Sequence, residues 1–523
     1  MTSTTTEMVA LPRGDDCVLQ SIVSGSPGSS AAAAAPEPAT KIRSRVQIVA
    51  MTGMLSGVNF TNSAITGLVT VGLPAIATDL ALPSTLAFWP ASVSGLATAS
   101  TLLLAGAASD VIGPRTVDLI GCFANGAAMM GAAAVRGGED LVALRALQGV
   151  AMSLHFAASV AILTENLPRS RARNIAFSCL GLSQVLGFSF GLVIGGVLVD
   201  TLGWRAGWYL YGGITLLLAG VGLWALPSHG RKRTFTQVMQ DMLAKVDWVG
   251  ALLASAFMAL SCYLLAVLST DVYRIREPGS IVILVLGVLA APAFAYWAHR
   301  RMRFGKPALI PNSLWKKKSF TTICATICLS FAVLNSMELF SSLFFQKIQQ
   351  LSALQASLRI LPSVIVGMFL NLGTGLFVDR IPAFWLVILS SFLCAGAPLL
   401  MAFYQPEWPY WTNAFVAQLL MPISGDILFT VGLIIVSDAF PEDTQSLAGA
   451  VFNTASQFGS AFGLAVVQIV SSAVAQSREN KGITSLLDGY RASYWTMFVF
   501  MILCVALPGI GLRGAGKVGV KRD

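Results

Sequence analysis

Long apolar runs separated by short polar or basic segments dominate the chain from residue 46 onward. A helix rising 1.5 Å per residue needs about 20 apolar residues to cross a bilayer core of ~30 Å. About fourteen runs reach that length, beginning near residues 46, 86, 116, 141, 174, 206, 247, 279, 320, 353, 383, 412, 446 and 493. In hydrocarbon each segment must satisfy its own backbone groups, so the runs are predicted as helices. Polar positions within them recur at helical spacing. Arg145, Gln148, Met152, His155 and Ser159 make one stripe down the fourth run, Asn335, Glu338 and Ser342 one on the ninth, and Asn59, Asn62 and Thr66 one on the first. Such stripes either face a wet interior or bind helices to one another.

Composition agrees with an all-α, polytopic membrane protein. Of 523 residues 55% are hydrophobic and 11% charged, against about 25% charged in soluble domains, and the mean hydropathy is +0.72. The net charge of +9 sits in short loops and the tails, which marks topology rather than nucleic-acid binding. The basic clusters "PRSRAR" (168–173), "GRKR" (230–233), "HRRMRFGK" (299–306) and "KKK" (316–318) fall on the side that holds both ends of an even-numbered bundle. Both termini are therefore predicted to be cytoplasmic. Seven of the eight cysteines lie in apolar runs, and neither a disulfide framework nor a metal-ligand spacing is present. Residues 1–45, rich in Ser, Thr, Ala and Pro, read as a disordered tail without a cleavable signal peptide, so the first run is expected to act as an uncleaved anchor.

The longest basic loops flank the seventh and eighth runs, which predicts six helices (46–227), two inserted helices with their loops (228–318), six more helices (319–512) and a basic tail (513–523). An internal repeat supports the division. The second run ends in "GAASDVIGPR" and the tenth in "GLFVDR", each with Gly four residues before Asp: Gly106 and Asp110, Gly375 and Asp379. Paired halves point to a secondary transporter with its site between them.

These motifs carry a resemblance. Gly106, Asp110, Gly113 and Arg115 resemble the loop motif after helix 2 of the major facilitator superfamily, "LVALRALQG" (141–149) resembles its helix 4 motif with a buried arginine, and "GFSFGLVIGG" (187–196) is similar to its helix 5 antiporter motif. Leu192 stands where that last motif has proline. Fourteen runs with "TVGLPAIATDL" (70–80) are similar to the fungal drug:proton antiporter branch, and 344–362 with 425–459 resemble the subgroup containing aminotriazole-resistance and low-affinity ammonium transporters. The resemblance implies two six-helix bundles plus two central helices, a cavity lined by helices 1, 4, 9 and 12, and a cytoplasmic gate at the Asp110 loop. Members of the branch often carry an acid in helix 1, where Ile65 stands here.

Gly187, Gly191 and Gly195, with Gly196 beside them, form a stripe that admits another helix closely, and Gly459 and Gly463 repeat the spacing in helix 13. The ionisable residues read as lying inside the membrane are Arg145, His155, Glu338, Arg359 and Asp426. Helical rise places Glu338 and Arg359 each roughly 10 Å below the outer surface, where they can form a structural ion pair. Asp426 lies near the midplane, and His155 at similar depth. Intramembrane acids are expensive and functional, so Asp426, with His155, is the candidate for proton coupling. Asn59, Asn62, Arg145, Gln148, Asn335 and Glu338 are the candidates for contacting cargo.

The expected function is proton-coupled export of small organic compounds, a drug, toxin or secondary metabolite, across the cell membrane by alternating access. A facilitator of ammonium or another small solute is the alternative, and a membrane sensor that binds without transporting is a third. No Gly-x4-Gly-Lys-Ser/Thr loop indicates an ATP-driven pump and no His/Asp/Glu cluster an enzyme. No cofactor, metal or nucleic acid is expected. The partners are cargo, protons and the lipid bilayer, and the protein is expected to be a monomer.

Overall fold

The structure, a computed structural model, describes residues 45–83, 86–167, 171–227, 240, 246–268, 272–305, 308–377, 381–440, 442–477 and 482–513. Both tails, the basic loop at 230–233 and Asp379 fall outside them. Fourteen helices among the described residues are long and apolar enough to span a membrane: α1 (Arg45–Asp79), α2 (Trp89–Ile112), α3 (Pro114–Ala134), α4 (Gly138–Asn166), α5 (Ile175–Thr201), α6 (Trp204–Ala225), α7 (Trp248–Leu265), α8 (Pro278–Arg303), α9 (Lys318–Ile348), α10 (Ala353–Asn371), α11 (Ala383–Phe403), α12 (Ala414–Val436), α13 (Leu447–Ser477) and α14 (Ile483–Gly511).

Local chemistry sets the breaks. Gly113, at φ 108°, turns the chain from α2 into α3, and Gly203, at φ 84°, from α5 into α6; both lie where a side chain would be strained. Pro422 divides α12 into Ala414–Leu420 and Pro422–Ala439 because proline donates no hydrogen bond to the helix before it.

The first and last six helices pack by one scheme. α1 lies along α5 and α6, α3 along α4 and α6, and α2 along α4; in the same way α9 lies along α13 and α14, α11 along α12 and α14, and α10 along α12. The halves meet where α5 packs on α10 and where α2 packs on α13. The inserted helices stay outside this arrangement: α7 pairs with α8 and lies over the α2–α13 seam. Trp89–Tyr263 and Phe257–Phe458 ring pairs at 6.0 and 5.9 Å fix it there. Buried Asp247 holds the base of the insert, accepting from the Gly250 and Leu309 amides at 3.0 and 3.2 Å and from Trp297 Nε1 at 2.9 Å.

Candidate functional site

Asp426 lies one turn beyond the Pro422 break in α12, and its carboxylate is aimed at α10. A methyl group built on Gly367 would fall 2.5 Å from Asp426 Oδ2, so a larger residue there would push the carboxylate aside. One turn further along α10, the Asn371 side chain interacts with the same carboxylate. Glu338 on α9 is within electrostatic reach of Asp426, and both acids are half-buried, in an interior where most polar groups are fully enclosed. On the Glu338 face of α9, Asn335 donates to Ser460 Oγ of α13 at 2.9 Å, and the Phe331 ring packs against Phe429 of α12 at 5.9 Å. The two acids and these rings thus line one wall built by α9, α10 and α12.

The ion pair expected between Glu338 and Arg359 does not form. Arg359 turns to the α9–α10 connection, where it donates to Gln349 Oε1 and its guanidinium lies 5.5 Å from the Phe345 ring and 5.3 Å from Tyr410. Equal depth does not make two residues face each other. Among the described residues, no Lys, Arg or His forms an ion pair with Glu338 or Asp426.

The polar stripe of α4 is buried along its length, from Arg145 at 2% exposure to His155 at 0%. Arg145 donates from Nε to Pro90 O at 2.9 Å and from a terminal nitrogen to Gln148 Oε1 at 2.9 Å, and its guanidinium lies 5.5 Å from the Trp208 ring. Gln148 Nε2 reaches Asn62 Oδ1 at 3.5 Å, so this network ties α4 to α1, α2 and α6. Asn59 is buried beside it on α1. His155 is enclosed against α3: its Nδ1 is 2.7 Å from Asp118 Oδ1 and 3.4 Å from Cys122 Sγ. Asp118 was not anticipated. Its signal was present in the sequence as Asp118, Cys122 and Asn125, at helical spacing on one face of α3. Asp118, Cys122 and His155 offer ligand atoms within 4.8 Å of one another, but the His155 and Asp118 atoms, 2.7 Å apart, are hydrogen-bonded, closer than the roughly 3.3 Å that separates ligands around a tetrahedral zinc ion.

At the end of the molecule opposite Arg45 and Arg513, the halves are latched. Asp200 near the end of α5 accepts from the Ala353 and Leu354 amides at 3.3 and 3.0 Å, capping α10, and Gln346 Nε2 donates to Val71 O at 2.9 Å. At the other end Asp110 is exposed, Gly106 has open space around it, and Arg115 donates to Leu223 O at 2.6 Å, tying the start of α3 to the end of α6. Gly375 lies in the helical continuation of α10, which runs to Phe377.

The sequence of residues 55–464 matches the model of the Major Facilitator Superfamily. The chain belongs to that superfamily. The facilitator chain is 37% identical to "MFS-type transporter 1" of Pyricularia oryzae over 95% of its own length and 88% of that protein. It is 25% identical to the "Low affinity ammonium transporter" of Saccharomyces cerevisiae (82% and 79% covered) and 28% identical to the "Methylenomycin A resistance protein" of Bacillus subtilis (77% and 84%). The solved structure of a bacterial homologue of the human lysosomal transporter Spinster, inward-facing and unoccupied, shares its fold with a TM-score of 0.62 over 90% of this chain and 98% of that one at 14% identity.

In this facilitator the glycine stripes join neighbouring backbones. A methyl group at Gly187 or Gly191 would fall 2.2 or 2.0 Å from Phe60 O or Ala64 O of α1, and at Gly195 2.8 Å from Leu68 Cα. Gly196 faces α10 instead, with Leu354 Cα at 2.9 Å. The second half repeats the device, with Gly459 against Cys328 O at 2.1 Å and Gly463 against Ala332 Cβ at 2.1 Å.

Proposed function

We propose that this transporter is a proton-coupled antiporter that exports small organic compounds across the cell membrane by alternating access, with Asp426 as the coupling carboxylate. One observation carries the reading: two half-buried acids, Asp426 and Glu338, share an interior wall with no fixed cation paired to either among the described residues. An acid placed there changes protonation instead of resting in an ion pair. The groups that face it are few. α9 contributes Glu338, α11 contributes the Cys394 thiol, Arg359 of α10 is engaged elsewhere, and α13 carries no charged residue within its span. Exposure of the wall to an acidic exterior loads the proton, and exposure to the cytoplasm releases it and frees the wall for cargo.

The rest of the assignment follows from position. Residues 46–227 and 319–512 are the two moving bundles, 228–318 the insert, and 1–45 and 513–523 cytoplasmic tails; the basic loops support that orientation. Asp110 and its repeat Asp379 close the cytoplasmic gate. His155, closed off against Asp118, holds α3 on α4, while Arg145, Gln148, Asn59 and Asn62 brace the N-terminal side of the cavity.

The test is comparison of compounds accumulating outside cells that carry the wild-type protein, Asp426→Asn or no protein, with purified wild type and variant then assayed in proteoliposomes under a pH gradient. Proton-driven efflux of a compound identified in this way should vanish in Asp426→Asn while its binding stays measurable. Efflux at the wild-type rate would eliminate Asp426 as coupler, and gradient-independent equilibration of ammonium by the wild type would favour a facilitator.

A further inference from the structure

We infer that protons reach Glu338 and Asp426 from the latched end, the exterior in the orientation proposed above, through a column of hydroxyls inside the last six helices, formed by Tyr490 and Tyr494 of α14 and Ser341 of α9. The inference rests on the proton-coupling reading and adds the route by which its acids are loaded. Enclosure is the first reason. Tyr494, Ser341 and Gln418 of α12 are 0% exposed and Tyr490 is 4% exposed, yet all four sit among Met337, Phe340, Met421, Met497 and Met501 in an apolar core. Gln418 Nε2 donates to Ser341 Oγ at 3.2 Å, and the Tyr494 hydroxyl lies beside the same serine without a full hydrogen bond. Gln418 Oε1 is likewise enclosed and unpartnered. A network built only to fasten helices would leave neither atom unpaired, because each unpaired buried group is costly. A relay needs such free positions along its length.

The order of the groups is the second reason. Ser341 stands one turn from Glu338 on one face of α9, and Glu338 is within electrostatic reach of Asp426. Tyr490 stands one turn from Tyr494 on one face of α14, about 10 Å in from Ile483 at 1.5 Å per residue, with its ring edge-on to Phe340 at 5.6 Å. Tyr490, Tyr494, Ser341 and Glu338 thus step from the latched end down to the acids. A hydroxyl both donates and accepts, so each oxygen takes a proton from its outer neighbour and gives its own to the inner one. The last O–H bond forms on the Glu338 carboxylate, the hydroxyls end as they began, and one positive charge has moved inward. Around the column, among the described residues, α11 contributes the Cys394 thiol and Tyr404, whose hydroxyl donates to Trp408 O at 2.8 Å, α14 the Cys504 thiol, and α13 no charged residue within its span. Asp488 and Arg491 flank Tyr490 at the mouth, where Arg491 donates to Gln405 Oε1 at 2.8 Å. The column lies within one half, between α9, α12 and α14, whereas the site for cargo opens between halves, so proton and cargo approach one wall by separate routes.

An external acid jump tests the route. Full-length protein is sealed into phosphatidylcholine vesicles, those with the latched end outward are selected, and protonation of the acids is followed by infrared absorption of the carboxyl C=O stretch, assigned by its loss in Glu338→Gln/Asp426→Asn. The band should grow at least tenfold more slowly in Ser341→Ala and in Tyr494→Phe, each of which removes one hydroxyl, and should still reach its wild-type amplitude. Ser341→Thr, which restores the hydroxyl, should return the rate. Distances between spin labels at Leu202 and Gln350 should be the same in all of them, which separates slow loading from slow opening. Equal rates in wild type, Ser341→Ala and Tyr494→Phe would overturn the column and leave coupling at Asp426 standing, as would slow loading that Ser341→Thr fails to restore. A wild type in which no carboxyl band answers the jump would defeat both readings.

Discussion

Gly367 and Asp426 define each other, since the carboxylate occupies the space a methyl group would fill. Gly367→Ala should displace the acid at a stability cost of about 1–3 kcal/mol, lowering proton-driven efflux several-fold while the protein still purifies as a folded species; unchanged efflux would mean that this orientation of Asp426 is immaterial. Asp118→Ala should act differently. It strips His155 Nδ1 and Cys122 of their buried partner, so thermal unfolding in detergent should reveal a loss of about 1–3 kcal/mol, with binding of the exported compound unchanged because the pair lies between α3 and α4. The contrast also shows what single residues disclose in a sequence. Asp426 was legible because a charge inside an apolar run has few innocent explanations. Asp118 escaped notice near the start of its run, and Arg359 was given the wrong partner, since depth along a helix follows from counting whereas facing depends on how helices rotate against neighbours hundreds of residues away.

Elements were more readable than partners. Apolar length alone counted the fourteen spans, because hydrocarbon leaves a chain no other way to pair its backbone, but the last begins at Ile483 and not near 493, since Asp488 and Arg491 made its first turns read as a loop. The glycine spacing identified a close-approach face, but which helix would meet it was set by the packing: α1 for Gly187, Gly191 and Gly195, α10 for Gly196. Gly191→Leu should force α1 and α5 apart at 2.0 Å contact with Ala64 O, costing about 1–3 kcal/mol or more. A lowered unfolding temperature and reduced yield would register it. The same change at Gly181, which has nothing within 4 Å, should be silent, and equal damage at both positions would refute a packing role for the stripe.

At the scale of the whole molecule the repeat foreshadowed two similar halves, but only the packing reveals that α7 lies over the α2–α13 seam. The latch at Asp200 predicts a shift in conformation. Asp200→Ala removes a helix cap worth about 0.5–2 kcal/mol, which should move the population toward the state open at that end by roughly 2- to 30-fold. Spin labels at Leu202 and Gln350, both exposed, would report it as a longer distance distribution, and identical distributions would remove Asp200 from the gate. Orientation is checked with an impermeant thiol reagent on intact cells: a cysteine at Glu277 should react from outside and one at Phe304 should not, both positions being exposed. Finally, backbones that touch through glycine cannot slide without first lifting apart. Each of the pairs α1–α5 and α9–α13 therefore counts as a single beam, and on the alternating-access reading proposed above the movement falls to the seams between halves, where α5 parts from α10 at Gly196 and α2 meets α13. A machine of fourteen parts reduces to two stiff frames on two hinges, one of them braced by α7.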